Sequence, residues 1–275
     1  MQLIFDKWDS DLIPQYKDAV QKTGFLHIRN YITPKEIENI FEAQANIEKK
    51  WIEEDKEEMF GVPILYGKDL DGKTIIHRSP FMSLNTSYFE ESGLISRMKK
   101  LLEVVGKEFR IGENENDGIV FNHYLKKEQE ASRRKLGWHT DSGRDFWSLE
   151  KPKLYYNIGI HLDDCPKNKG GLRLLLGSHL QSISSMLFKK WHFIDHRQDK
   201  NEYCVETRAG DMTIHDARIW HRVAECPAHG EASRRRVLYI PFVRGEVKEK
   251  TEQSKPPIYL VILKKINKVK SSLLQ

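Results

Sequence analysis

The sequence predicts a mainly β domain, a double-stranded β-helix or cupin-like jelly roll with a helical buttress. Two observations carry this prediction. From Ile119 onward, short apolar and β-branched runs alternate with turns at the spacing typical of β-sandwiches and barrels. Before Ile119, apolar residues recur mostly at helical spacing. We therefore expect one domain over residues 1–275: a mostly helical layer and rim (1–118), a jelly-roll core (119–245) and a basic extension (246–275).

The first third contains clear local signals. Residues 12–23 place apolar side chains on one helical face, and Gly24 suits the left-handed residue that ends a helix. Phe25–Ile28 is strand-like. Residues 33–36, Thr-Pro-Lys-Glu, form a capping box with proline at the first helical position, which predicts the start of a second helix. A further helix is predicted from about residue 92 to residue 109.

Residues 61–87 are rich in glycine, aromatic and polar residues, so we expect a loop or hairpin region at the rim of a pocket. Residues 180–203 lie between two predicted core strands and are interpreted either as a lid or as a packed surface helix. The core strands are predicted within the stretches IVFNHYL, LGWHTD, LYYNIGIHLDD, LRLLLGSH, YCVETRAGDMTIHD and RRRVLYIPFV.

Composition describes a soluble globular protein, with 39% hydrophobic and 31% charged residues. The sequence contains no apolar run of about 18 residues, so no membrane span is predicted. The N-terminus does not have the pattern of a signal peptide. The cysteines, Cys165, Cys204 and Cys226, form neither a zinc pattern nor an even set for disulfides, so we expect a reducing cytoplasm.

The net charge of +5 is concentrated at the C-terminal end, where residues 234–275 hold eleven Lys/Arg and three Asp/Glu. Such a tail could bind nucleic acid or anionic lipid, or form a solvated basic surface helix. The apolar run at residues 258–263 could be an added strand, an oligomer contact or an interfacial anchor.

The motif His139-Thr140-Asp141 is the strongest chemical signal. On a strand, residues i and i+2 point to the same side, so the imidazole and the carboxylate converge. His221, from a distant strand, would complete a facial triad of the kind that suits non-haem Fe(II) and leaves coordination positions open. Arg235 offers a planar cation that can hold a carboxylate through two donors. Together these residues suggest an Fe(II) oxygenase that uses 2-oxoglutarate.

From about residue 12 to residue 243 the chain resembles the phytanoyl-CoA dioxygenase (PhyH-like) family of Fe(II)/2-oxoglutarate oxygenases. The resemblance lies in an ordered set of segments: GFLHIRNYITPKEIENIF, WHTD, IHLDDCPKNKGGLRLLLGSH, AGDMTIHDARIWHRV and RRRVLYI. A lone H-x-D motif would be weak evidence for the family, but the occurrence of all these segments in the family's order is specific.

The resemblance implies that His139, Asp141 and His221 bind iron and that Arg235 holds the far carboxylate of 2-oxoglutarate. Arg235 shares strand parity with Val237 and Tyr239, while Arg234 and Arg236 remain alternatives. Fe(II), 2-oxoglutarate and O2 are the implied cofactors, with ascorbate as the reductant in assays.

Other polar residues have open interpretations. Asn157 and Tyr124 could bond 2-oxoglutarate or be ordinary barrel-interior residues. His161, His179 and His215 could support the metal ligands or replace one of them, and His179 is interpreted as structural.

We expect the enzyme to oxidise, most simply by hydroxylation, a C–H bond of a small-molecule or lipid-like metabolite and to yield succinate and CO2. The retained Asp141 favours this over the halide transfer of related enzymes. One alternative is an oxygenase acting on nucleic acid or protein, although no stacking aromatic-and-basic strand supports nucleic acid as a partner. Another is a non-catalytic jelly roll that holds a metal.

Overall fold

The computed structural model describes residues 1–127, 136–143, 154–246 and 248–256. The predicted apolar run at residues 258–263 lies outside these ranges, as does most of the basic extension. Within them, the α-helices are α1 (Ile13–Thr23), α2 (Pro34–Glu53), α3 (Tyr88–Glu91), α4 (Leu94–Lys99), α5 (Leu102–Val105) and α6 (Ile183–Phe188). None of the described helices is both long enough and apolar enough to cross a membrane.

The described β-strands form two large sheets and one small hairpin. The strands are β1 (Ile4–Phe5), β2 (Phe25–Ile28), β3 (Glu58–Met59), β4 (Val62–Pro63), β5 (Leu65–Lys68), β6 (Thr74–Ser79), β7 (Phe109–Ile111), β8 (Val120–Lys126), β9 (Leu136–His139), β10 (Tyr155–His161), β11 (Gly171–Leu174), β12 (Tyr203–Cys204), β13 (Met212–Asp216), β14 (His221–Ala224) and β15 (Gly230–Arg244).

The major sheet has the order β1-β2-β13-β10-β15-β8-β6-β5, with β7 also paired to β15, and the minor sheet has the order β12-β11-β14-β9. Most neighbours in these orders come from distant parts of the chain, as expected for a jelly roll, whereas β5 and β6 are consecutive. The predicted mainly β fold with a helical buttress is confirmed. The major sheet also takes strands from the first 118 residues, because β2 pairs with β13 and β6 pairs with β8.

The N-terminal helices begin and end where local chemistry predicts. The C-cap of α1 is Gly24, whose φ of 74° lies in the left-handed region that glycine adopts without strain. At the start of α2, the Thr33 hydroxyl accepts from the Glu36 backbone N–H, and the Glu36 carboxylate accepts from the Thr33 N–H. These reciprocal bonds satisfy amides that a helix start otherwise leaves free.

The prediction of one continuous helix from about residue 92 to residue 109 was wrong. The apolar side chains do face the core, but the segment divides into α4 and α5 and then joins the sheet as β7. Backbone bonds of the tighter i→i+3 kind separate the two helices, including Lys100 to Arg97 and Leu101 to Met98. At the far end, Phe109 pairs with Arg244 of β15, so tertiary strand pairing replaces the last helical turn.

The two faces of the major sheet differ in polarity. The outer face carries Ile158, Ile214 and Ile240, which are fully buried in one core with apolar side chains of α1 and α2. The alternate residues, including His161 and His215, form an inner face of buried polar groups. Because buried polar groups are costly unless they are bonded or bind something, this inner face is where a ligand site is expected.

Candidate active site

The three predicted ligands meet at the edge of the minor sheet. His139 ends β9, Asp141 follows two residues later, and His221 begins β14 directly opposite His139 in the ladder. One donor atom from each of the three residues lies within 4.8 Å of the others, and all three residues are buried. Sheet register therefore brings together residues that are 82 positions apart in sequence, counting from His139 to His221.

Both imidazoles are oriented by backbone carbonyls. Nδ1 of His139 lies 2.8 Å from the Gly137 oxygen, and Nδ1 of His221 lies 3.0 Å from the Ile219 oxygen. A carbonyl only accepts, so each Nδ1 is the donor, and each neutral ring presents the lone pair of Nε2. The two Nε2 atoms lie 3.7 and 3.8 Å from the Asp141 carboxylate oxygens. Two neutral imidazoles and one carboxylate fit a non-haem Fe(II) facial triad.

Asn157 holds the carboxylate of Asp141. Its Nδ2 donates to Asp141 Oδ2 over 2.6 Å and lies 3.4 Å from Nε2 of His215. This contact places Asn157 beside the triad, and its expected bond to 2-oxoglutarate stays a prediction. His215 lies next to His221, with 5.2 Å between ring centroids, but it is outside the group of three converging donors found among the described residues.

The other two histidines considered as supports are also outside the group of three converging donors. His161 contacts the Thr213 hydroxyl, and burial lowers the pKa of His161 to about 3, with His27 and Arg235 lowering it further. His179 contacts the Gln21 backbone oxygen over 3.0 Å, which fits its structural interpretation. Burial likewise lowers the pKa of His215 to about 3. His161 and His215, on the inner face of the major sheet, are therefore neutral at pH 7.

Arg235 is a buried cation on the inner face of β15. It is 9% exposed, pairs in register with Tyr124, and places its guanidinium carbon 4.3 Å from the centroid of the Tyr124 ring. Its Nη1 lies 3.9 Å from Cys165 Sγ. In the part of the chain that the structure describes, no carboxylate pairs with Arg235. A buried guanidinium without an internal counter-ion is suited to an anionic ligand.

The neighbouring arginines are already paired. Arg234 bonds Glu231 and Asp69, and Arg236 makes a two-point contact with Asp163. Their side chains alternate with that of Arg235 and lie on the outer face of the sheet. The strand parity used in the sequence analysis therefore agrees with the separation of these three cations.

Two neighbours of the site carried no sequence signal for their positions. Cys165 pairs with Thr207 through backbone hydrogen bonds, and its Sγ lies beside the Arg235 guanidinium. Phe193 stacks on His139, with ring centroids 4.8 Å apart and an interplanar angle of 26°. Both contacts depend on long-range packing, and local periodicity does not encode them.

Comparison with known proteins gives a family match and a set of similar folds. The sequence profile of phytanoyl-CoA dioxygenase (PhyH) matches residues 20–234, which is most of the chain. No curated protein sequence matches significantly.

Similar solved structures include the epimerase SnoN in complex with Fe3+, alpha ketoglutarate and nogalamycin RO, with a TM-score of 0.61, 16% identity and 88% coverage of both chains. EvdO2 from Micromonospora carbonacea var. aurantiaca, complexed with 2-oxoglutarate, has a TM-score of 0.60 and 11% identity, and the match covers 93% of this chain and 98% of EvdO2. The carbocyclase SnoK from nogalamycin biosynthesis has a TM-score of 0.57 and 15% identity, with 91% and 88% coverage. At these identities the similarity shows a shared fold.

Proposed function

This chain belongs to the phytanoyl-CoA dioxygenase (PhyH) family and is an oxygenase of the Fe/2-oxoglutarate-dependent type, and from that premise we propose that it hydroxylates a C–H bond of a small-molecule or lipid-like metabolite. 2-Oxoglutarate would be converted to succinate and CO2 in the same cycle. The observation that carries the proposal is the convergence of His139, Asp141 and His221 on the polar inner side of the fold that also buries Arg235.

His139, Asp141 and His221 are the residues that would hold Fe(II). Bound iron would supply the activation of O2 and the oxidation of the C–H bond. The protein's own contribution is to orient both imidazoles and to place Nε2 of each ring toward the metal position, through the Nδ1 contacts to Gly137 and Ile219. Asn157 contributes by holding one carboxylate oxygen of Asp141.

Arg235 would hold the far carboxylate of 2-oxoglutarate. Its guanidinium is buried and lies against the Tyr124 ring, which restricts where the cation can point. A charge-assisted contact made in a site with little water is stronger than the same contact at the surface. Tyr124 and Asn157 are the further residues that we propose beside 2-oxoglutarate.

The class of substrate is supported by chemistry and by the similar structures. SnoN was solved in complex with Fe3+, alpha ketoglutarate and nogalamycin RO. SnoN and SnoK are an epimerase and a carbocyclase, so this fold also supports outcomes other than hydroxylation. The carboxylate of Asp141 argues against halide transfer, and we favour hydroxylation over epimerisation or ring closure because it needs no second reacting group on the substrate.

The surroundings of the enzyme are also inferred. Cys165, Cys204 and Cys226 are all free thiols, which suits a reducing compartment such as the cytoplasm. We further infer that residues 1–275 fold as one domain, since the strands of the first third complete the major sheet.

The test is succinate formation from 2-oxoglutarate by purified protein with Fe(II), ascorbate and O2, with His139→Ala as the control. Succinate that requires both iron and His139 supports the proposal, and a metabolite screen for stimulated turnover would then define the substrate. Anaerobic addition of 2-oxoglutarate to the Fe(II) protein should also produce a visible charge-transfer band. Tight metal binding without that band and without succinate would favour the non-catalytic binding protein.

A further inference from the structure

Residues 180–203, called here the insert, are bonded directly to the strand that carries His139. The Trp138 N–H donates to the Asp195 oxygen over 2.8 Å, and the Phe193 N–H donates to the Trp138 oxygen over 2.9 Å. A Cβ added to Gly137 would lie 2.6 Å from the Phe193 oxygen. The insert therefore passes over β9 so closely that residue 137 has no room for a side chain.

The insert also contacts the chain on the other side of the His-x-Asp motif. The His192 ring packs 4.6 Å from the Trp220 ring, and its Nε2 lies 3.0 Å from the Met186 oxygen. A Cβ on Gly143 would lie 2.6 Å from the His192 ring. The segment with the two adjacent ligands is thus bounded by the insert both before His139 and after Asp141.

Charged side chains of the insert also contact β9 and β14 of the minor sheet. Glu202 accepts two bonds from Arg222, at 2.8 and 2.9 Å. The Lys190 ammonium lies 4.7 Å from the centroid of the Trp138 ring and bonds Asp199. Of the two interpretations from sequence, a lid or a packed surface helix, these contacts favour packing over opening, although only Ile183–Phe188 of the insert is an α-helix.

Phe193 is the side chain through which the insert reaches a proposed iron ligand. Its ring lies nearly parallel to the His139 imidazole, with centroids 4.8 Å apart. Its φ of 64° is in the left-handed region, which an aromatic residue rarely adopts and which is concentrated at functional sites. The residue is still 38% exposed, so filling of a core does not account for its conformation.

We propose that Phe193 is a positioning residue for His139. Its ring covers one face of the imidazole and limits rotation of that ring, while the Gly137 carbonyl fixes Nδ1. Together they hold Nε2 toward Asp141 and His221 and keep bulk water from that face. This inference rests on the proposed function, because it takes His139 to be an iron ligand.

The test uses Co(II), which reports the geometry of its ligands through visible absorption, added anaerobically to metal-free protein. Phe193→Ala should weaken Co(II) binding by about tenfold and alter the spectrum, in line with other losses of residues that orient ligands. Phe193→Tyr keeps the ring and should restore both the affinity and the spectrum. Phe193→Leu keeps apolar volume without the ring and should retain the altered spectrum.

The matched control is Phe188→Ala, which removes an aromatic side chain that is 74% exposed on the same insert. It should leave both Co(II) readouts unchanged. Wild-type affinity and spectrum in both Phe193→Ala and Phe193→Leu would overturn the proposal, as would an equal loss in Phe188→Ala. If Phe193→Ala does not fold, the comparison of Phe193→Leu with Phe193→Tyr decides the matter.

His139→Ala separates this inference from the proposed function. If His139→Ala abolishes Co(II) binding and the Phe193 variants bind normally, only the role of Phe193 is overturned. If His139→Ala binds Co(II) as wild type does, the proposed metal centre is wrong and the role of Phe193 is overturned with it.

Discussion

His139 and His221 face each other across the β9–β14 ladder, and each directs Nδ1 to the backbone oxygen of the residue two positions earlier in its own chain segment. The same local contact therefore orients both rings. Because each contact is made by backbone, it depends on the local chain path and not on the identity of a partner side chain. The third proposed ligand, Asp141, instead depends on a side chain, since Asn157 holds it.

Replacement of Asp141 by alanine should abolish turnover. The variant loses the only carboxylate of the proposed ligand set and leaves two imidazoles, which bind Fe(II) too weakly to keep it in place. The measurements are Co(II) or Fe(II) affinity and succinate formation. Succinate at the wild-type rate from Asp141→Ala would show that the ligand assignment is wrong.

Replacement of Arg235 by alanine should raise the concentration of 2-oxoglutarate needed for half-maximal succinate formation. A charge-assisted pair is worth roughly 1.5–3 kcal/mol, which corresponds to about ten- to a hundredfold in affinity. Arg234→Ala is the control, because Arg234 is already paired with Glu231 and Asp69 on the other face. An effect of Arg234→Ala larger than that of Arg235→Ala would show that the two residues have been assigned to the wrong faces.

Asn157→Ala should separate two possible roles of this amide. Loss of the bond to Asp141 should weaken metal binding by roughly ten- to a hundredfold, as for other residues that bond to metal ligands. The affinity for 2-oxoglutarate, measured with saturating metal, reports on the second role. Normal metal affinity with a raised 2-oxoglutarate requirement would mean that Asn157 serves 2-oxoglutarate and not Asp141.

Stability should fall with acid partly through His123. Burial lowers the pKa of His123 to about 3, and the nearby Arg234 and Arg236 lower it further. The unfolded chain has the ordinary histidine pKa near 6.5, so between about pH 6.5 and pH 3 it binds a proton that the folded protein does not. The contribution of neutral His123 to the free energy of unfolding is thus complete above about pH 6.5 and declines as the pH falls toward 3.

His123→Gln removes the titrating imidazole. Arg234 contacts His123 Nε2 over 2.8 Å, and the amide oxygen of glutamine can accept the same hydrogen bond. The free energy of unfolding of wild type relative to the variant should fall by up to about 1.4 kcal/mol per pH unit below pH 6. Urea unfolding at pH 7, 6, 5 and 4.5 measures it. Parallel pH profiles for the two proteins would rule out this role of His123.

Local structure near the N-terminus was predictable because its causes are local. The bonds between Thr33 and Glu36 and the left-handed Gly24 involve residues within a few positions of each other. By contrast, the end of the helix predicted up to residue 109 could not be predicted correctly from local signals. Phe109 pairs with Arg244, which lies 135 positions later in the chain.

The sequence by itself determined the family and the jelly-roll class, and it predicted the His-x-Asp pair and Arg235, since motif spacing and strand parity are properties of the chain alone. Only the tertiary structure decided which groups surround those residues. Asn157 against Asp141, Cys165 beside Arg235 and Phe193 on His139 are contacts between segments that meet only when the sheets form. The physical reason is that alternation along a strand fixes the face to which a side chain points, whereas its neighbours on that face depend on strand order and register.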